Sequence, residues 1–330
     1  MNSSEPLKVA LYRGDNIESV HRLHYVLSDY KKNIVKSAGN PNYKVYPRSA
    51  IKPLQGLMVF ESGAFEKFNL SSQEITLACA SHNGENEHIH LVKDWLKKIG
   101  LDESYLMCGG HVPLYLDRQK SLHLKAKEYT SVYNNCSGKH TGFLSSILSL
   151  GLDPMDYLNP LHPFQSRLKA RLEDLMDYSF SGSDIGIDGC GIPTYFTPLK
   201  NLSFGMSQML SKNLNQSLIH YFNIIFDSIL ENPFYLAGTN RLCTQIIENS
   251  KNTLVKVGAE GVYVAVLKDQ GLALSLKVED GSLRAAEAGL VHLLKEFNIF
   301  DEKSEFSQSW KSPKLYNWVG TLIGKTEVIH

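Results

Sequence analysis

At 330 residues, with 43% hydrophobic and 21% charged side chains, the chain has the apolar content to bury a large core, which excludes a disordered or fibrous protein. Lys+Arg and Asp+Glu both number 34, so the net charge is zero and neither a polyanion nor an acidic membrane surface is indicated as a partner. That balance suits a small neutral or zwitterionic ligand.

The opening MNSSEPLKVALYRGD lacks a basic stretch followed by an apolar run, and no segment approaches the ~20 consecutive apolar residues of a membrane span. The expectation is a soluble, cytoplasmic protein. Cys79, Cys108, Cys136, Cys190 and Cys243 are widely spread and odd in number, a pattern of reduced thiols rather than of a secreted disulfide framework. With no repeat, low-complexity tract or long linker, residues 1–330 read as a single domain.

Strands are predicted over residues 7–13 (LKVALYR) and 21–28 (HRLHYVLS), then, after the polar turn DYKKN, in NIVKSAG. From Ala50 to about Leu230 the signal is helical: QEITLACAS, NEHIHLVKDWLKKIG, HTGFLSSILSLG and PFQSRLKARLEDLM, the last with Phe164, Leu168, Leu172 and Leu175 at helical spacing. Strands return in TLVKVG, EGVYVAVLK and LALSLKVE, followed by the helix RAAEAGLVHLLKEF. Val262, Val264 and Val266 alternate with Tyr263, Ala265 and Leu267, so both faces of that strand are expected to be buried. The fold class is α+β, an antiparallel sheet from the N- and C-terminal segments covered by helices.

A serine three residues ahead of a lysine is a chemical arrangement when a neutral lysine amine takes the serine proton, and residues three apart share a helix face. The lysine must then titrate far below its ordinary value, through burial or a second nearby cation. The spacing occurs at Ser28/Lys31, Ser49/Lys52 and Ser166/Lys169. The first falls in a polar turn and the third on the polar side of an amphipathic helix. Ser49 alone opens a helix after an extended segment, PNYKVYPR, where backbone N–H groups can stabilise an oxyanion. Pro53 disfavours helical backbone at Lys52, so an irregular turn is expected, and the plain alternative for Ser49 is a helix cap. Farther on, Lys256 and Gly258 in KVG end a strand. Ser-x-x-Lys with a late Lys-x-Gly is the arrangement of penicillin-recognising serine hydrolases and serine glutaminases, whereas a lone Lys256 would read as an edge-strand charge.

Three polar segments complete the candidates. ACASHNGENEHIH sets Ser81, His82 and Asn83 where an apolar helix stops; YNNCSGKHTG precedes another helix; IDGCGIP offers Asp188 and Cys190 between glycines. Cys136 and Cys190, with either Lys139 or His140, have the donor chemistry of a zinc site.

Taken in order, RSAIKP, ASHNGENEH, CGGH, NNCSGKH, DGCGIP and KVGAEGVYVAV resemble the asparaginase II family of L-asparaginases typified by an inducible rhizobial enzyme, over about residues 8–324. The resemblance implies a fold similar to serine β-lactamases and DD-peptidases, and hydrolysis of L-asparagine to L-aspartate and ammonia. It implies two Ser–Lys tandems, Ser49 with Lys52 and Ser81 with Lys256, zinc on Cys136, Lys139 and Cys190, and a homodimer. Arg48, Asp188, His82 and Cys243 match positions lining the substrate pocket. One departure stands in SHNGE, where a second serine is expected and Asn83 occurs. The competing readings are a glutaminase or another Ser–Lys amidohydrolase, and a non-catalytic zinc-dependent binding protein.

Overall fold

The computed structural model describes residues 2–114, 129–301 and 303–329. The chain divides into two compact units that interleave along the sequence: residues 1–50, 197–210 and 245–330 form the first, residues 51–196 and 211–244 the second.

The first unit is built on a sheet of nine strands among the described residues. Its main path runs Lys314–Tyr316, Leu322–Ile329, Leu7–Arg13, Asn16–Asp29, Leu272–Val278, Val262–Leu267 and Thr253–Gly258. All neighbours on that path are antiparallel. The N- and C-terminal segments therefore share one sheet, as expected, and the arrangement is α+β. The second strand is longer than its sequence pattern suggested. It begins at Asn16, pairing first with Leu7–Arg13 and then, along the same edge, with Ile34–Ala38. The strand Leu322–Ile329 was not read from sequence, and it seals the far side of Leu7–Arg13.

Strand Val262–Leu267 is buried at all six positions, as the uninterrupted apolar run predicts. On one face, helix Leu283–Glu296 lies so close that a Cβ on Gly289 would strike Leu23 and approach Val9. On the other, helix Leu199–Ser207 docks through hydroxyls. Ser203 donates to the Ala273 carbonyl at 2.9 Å, and Ser275 donates to the Leu199 carbonyl at 2.8 Å. Ser275, Val264 and Lys256 are cross-strand partners in register, so the Lys256 side chain leaves the sheet on this second face.

The second unit is helical around Ser137–Ser149, which is buried at every position from Ser137 to Ile147. A helix hydrophobic on one stripe only could not be wrapped this way. Here the polar residues answer their own demand: Thr141, Ser145 and Ser146 each donate back to the carbonyl four residues earlier, at 2.9 Å. Glycines let the neighbours close in, with Gly138 against Leu77 and Gly142 against Ala78, Trp95 and Val59. The helix starts three residues ahead of the predicted His140, which makes Cys136 its N-cap and puts Lys139 in its first turn. Helix Pro163–Met176 matches the predicted span, its N-terminal proline filling a position with no intrahelical N–H bond to lose.

Candidate active site

Arg48–Ile51 is a 3-10 turn rather than an α-helix, and a four-residue helix, Lys52–Gln55, follows with Pro53 in its first positions. The irregularity expected from Pro53 is present. Arg48 holds φ at +51°, a left-handed conformation that costs a residue with a Cβ of order 1 kcal/mol and is kept only where the surroundings impose it. Those surroundings include Gly258. A Cβ there would run into the Pro47 carbonyl and sit 3.3 Å from the Ala50 Cβ, so the glycine of KVG lets the strand back the turn that carries Ser49. Lys256, 1% exposed, donates to the Val257 carbonyl at 3.0 Å.

In the second unit the sequence-predicted residues converge. Lys52, 1% exposed, donates to Ser81 Oγ at 3.0 Å, to Cys136 Sγ at 3.1 Å and to the Ala80 carbonyl. No carboxylate among the described residues pairs with it. Lys139, equally buried, donates to Cys190 Sγ at 3.0 Å. The Cys136 thiol in turn hydrogen-bonds Cys190. That bond, against burial and with the Lys139 charge in support, lowers the Cys190 pKa to about 5. The same bond, and then burial, push Cys136 up to about 12. Burial works to lower the Lys139 amine, yet Cys190, Cys136 and Asp188 together raise it. The result is a continuous buried chain of contacts from Ser81 through Lys52, Cys136 and Cys190 to Lys139. Its two thiols and one amine fit the donor set expected for zinc, although three or more His, Cys, Asp or Glu side chains do not cluster around any point among the described residues. Cys108, left out of that set from sequence, lies within electrostatic reach of Cys136 and Cys190, and burial pushes its thiol up to about 12.

His82 is fully buried with both ring nitrogens engaged. Gly84 N–H donates to Nδ1 at 3.1 Å, so Nε2 carries the proton and donates to Ser137 Oγ at 2.9 Å, while the Ser137 hydroxyl donates to the Val132 carbonyl. Burial, followed by the charges of His88, Lys52, His111 and Arg241, holds its pKa well below the ordinary histidine value. The ring ties loop 81–84 to the helix that begins at Ser137. Asp188 turns its Oδ1 to the Gly189 N–H at 2.6 Å, and Cys243 is 1% exposed.

Sequence reasoning missed what surrounds Asn83. Its Nδ2 donates to Glu85 Oε1 at 3.1 Å and to the Thr239 carbonyl at 3.0 Å, and its Oδ1 accepts from Arg241 Nη1 at 3.1 Å. Glu85 also accepts from Thr239 N–H at 2.8 Å and from the Thr239 hydroxyl at 2.6 Å. A serine could not span this network. Arg241 lies two residues before Cys243 in NRLCTQ, and the turn-forming run Gly238-Thr239-Asn240 just ahead of it was the available signal; Gly238 and Asn240 both hold positive φ.

A family model described as L-asparaginase II matches residues 9–328. Among solved structures, Mglu in its tris and glutamate form is 11% identical, with 91% of this chain and 65% of that chain covered and a TM-score of 0.48. Another Mglu structure is 10% identical, covering 86% of this chain and 69% of that one, with a TM-score of 0.47. A β-lactamase from Mycobacterium bovis is 12% identical, covering 83% and 94%, with a TM-score of 0.39. The chain thus spans about two thirds of the length of the Mglu chains, and likenesses at this level carry no argument about activity. No curated protein matches by sequence.

Proposed function

We propose that this chain, which belongs to the L-asparaginase II family, hydrolyses the side-chain amide of L-asparagine to L-aspartate and ammonia. Membership makes it an amidohydrolase; the substrate and the residue roles are our reading. The observation that carries it is the buried Lys52 amine, 3.0 Å from a serine hydroxyl and without a carboxylate partner among the described residues. An amine within hydrogen-bond distance of a serine hydroxyl is placed to exchange a proton with it.

In this reading Ser49 Oγ bonds to the amide carbon as Lys52, one turn along the chain, takes its proton. The C–N bond breaks, ammonia leaves with a proton returned through Ser81 and Lys256, and water cleaves the resulting ester to aspartate. Ser81 as the attacking group is the second reading, favoured by the direct Lys52–Ser81 contact. Zinc, held by Cys136, Lys139 and Cys190, would supply positive charge to orient the substrate. Ammonia release from L-asparagine, with L-glutamine as control and Ser49→Ala and Ser81→Ala alongside, tests the function. Labelling with a diazoketone analogue of asparagine and mapping the modified peptide distinguishes the two serines. No release by the wild-type protein supplied with zinc would overturn the reading.

A further inference from the structure

We infer that Arg241 binds the α-carboxylate of the amino-acid substrate and that Asn83 positions it, an inference that rests on the asparaginase reading above. The guanidinium is half-buried, yet it forms no ion pair with any described residue. Among the described residues its hydrogen bonds run from Nη1, to Asn83 Oδ1 at 3.1 Å and to the Ser81 carbonyl at 3.5 Å. The carboxylate two residues after Asn83, Glu85, is engaged by Asn83 and Thr239. A guanidinium taken partly out of water with no ion-pair partner gains when a ligand brings an anionic group to it.

The chemistry of that ligand follows from the fork. Arginine presents five donors in a plane that matches a carboxylate bidentately, and anchoring Nη1 leaves Nη2 and Nε for such a ligand. The anchor is on the backbone of Ser81, whose hydroxyl is held by Lys52, so guanidinium and amine address the same residue from different atoms. Arg241 is held rigidly: a Cβ on Gly238 would collide with Glu85 and approach Asn83 Nδ2 to 2.6 Å, so the loop bearing the arginine closes on the Asn83–Glu85 network only because residue 238 is glycine.

The test compares L-asparagine with L-asparaginamide, which keeps the side-chain amide but replaces the α-carboxylate by a neutral amide. Arg241→Met should raise KM for L-asparagine by about 10²-fold with kcat within about threefold, while KM for the α-amide stays within about twofold. Arg241→Lys should recover part of the loss, because charge returns without the fork. Asn83→Ala should raise KM for L-asparagine selectively, and should add nothing in the Arg241→Met background, as expected for a residue acting through its neighbour. An equal rise for both substrates, or an unchanged KM, overturns the inference. Calorimetric titration with L-aspartate gives a readout independent of turnover. Binding by the wild-type protein that is lost in Arg241→Met supports the inference even if no ammonia is released, an outcome that would sink the asparaginase reading alone. Arg241→Lys serves as the sole variant should the methionine protein fail to fold.

Discussion

Replacing Lys52 by methionine separates a catalytic lysine from a structural one, because the two roles predict opposite balances of stability and rate. Methionine keeps an unbranched side chain of similar length in a position 1% exposed, so packing is largely preserved. It removes three donated hydrogen bonds, to Ser81 Oγ, Cys136 Sγ and the Ala80 carbonyl. Stranding those acceptors costs ~1–3 kcal/mol each where water cannot reach them. Against this, the substitution relieves the burial of a polar amine with no carboxylate partner among the described residues, a desolvation cost of the same order. The opposing contributions are of one size, so thermal unfolding should move by no more than a few degrees in either direction. Turnover should fall by about 10²–10⁴, the share of a positioned proton acceptor. Ammonia release at saturating asparagine and calorimetric melting on the same preparations give both numbers. A melting point lowered by more than ~10 °C with kcat within tenfold of wild type would refute the assignment and make Lys52 a strut.

Gly138→Ala places a methyl 2.5 Å from Leu77 Cγ and from its carbonyl, so the two helices must part; a loss of about 1–3 kcal/mol is expected in denaturant midpoint, with kcat/KM reduced because Ser81 and Lys139 follow those helices. Cys190→Ser should leave the purified protein with less than about a tenth of the wild-type zinc content by elemental analysis, and full occupancy in that variant would remove Cys190 from the donor set. His82 and His88 titrate below the ordinary histidine value, His88 chiefly through burial. The unfolded chain then binds more protons than the folded one below pH ~6.5, and stability falls as pH drops through and beneath that value. His88→Phe removes one of these proton sites, so the stability lost between pH ~7.5 and ~5.5, measured by urea unfolding, should shrink; an unchanged loss would mean that His88 is already charged in the folded protein.

Which parts of the molecule were legible in sequence depended on whether the signal was local. The strands over Leu7–Arg13, Thr253–Gly258 and Val262–Leu267 and the helix Pro163–Met176 carry their own periodicity, and each lies where the pattern puts it. Leu322–Ile329 does not: Lys325, Thr326 and Glu327 interrupt its apolar positions, and only pairing with Leu7–Arg13, more than 300 residues away in sequence, makes it a strand. The helix at Ser137 was placed three residues late because Ser137, Gly138 and Lys139 are weak or polar helix residues. What holds them helical is the fit of Gly138 on Leu77 and the Lys139–Cys190 contact, neither visible in sequence.

The site divides along the same line. Cys136 and Cys190 could be singled out because thiols are chemically conspicuous among apolar and glycine-rich neighbours, while the choice of Lys139 over His140 came from the family resemblance alone. Asn83 registered only as a departure from an expected serine, and Arg241 did not register at all. Their meaning is relational: an asparagine that donates through Nδ2 to a carboxylate and a carbonyl while accepting a guanidinium on Oδ1 does a task that serine, with one short hydroxyl, cannot do. The substitution at position 83 is thus tied to the presence of Arg241, Thr239 and Glu85. A chain with serine there must either leave the arginine unanchored or hold it by another route, and Asn83→Ser in this chain should loosen Arg241 while leaving the Lys52–Ser81 contact intact.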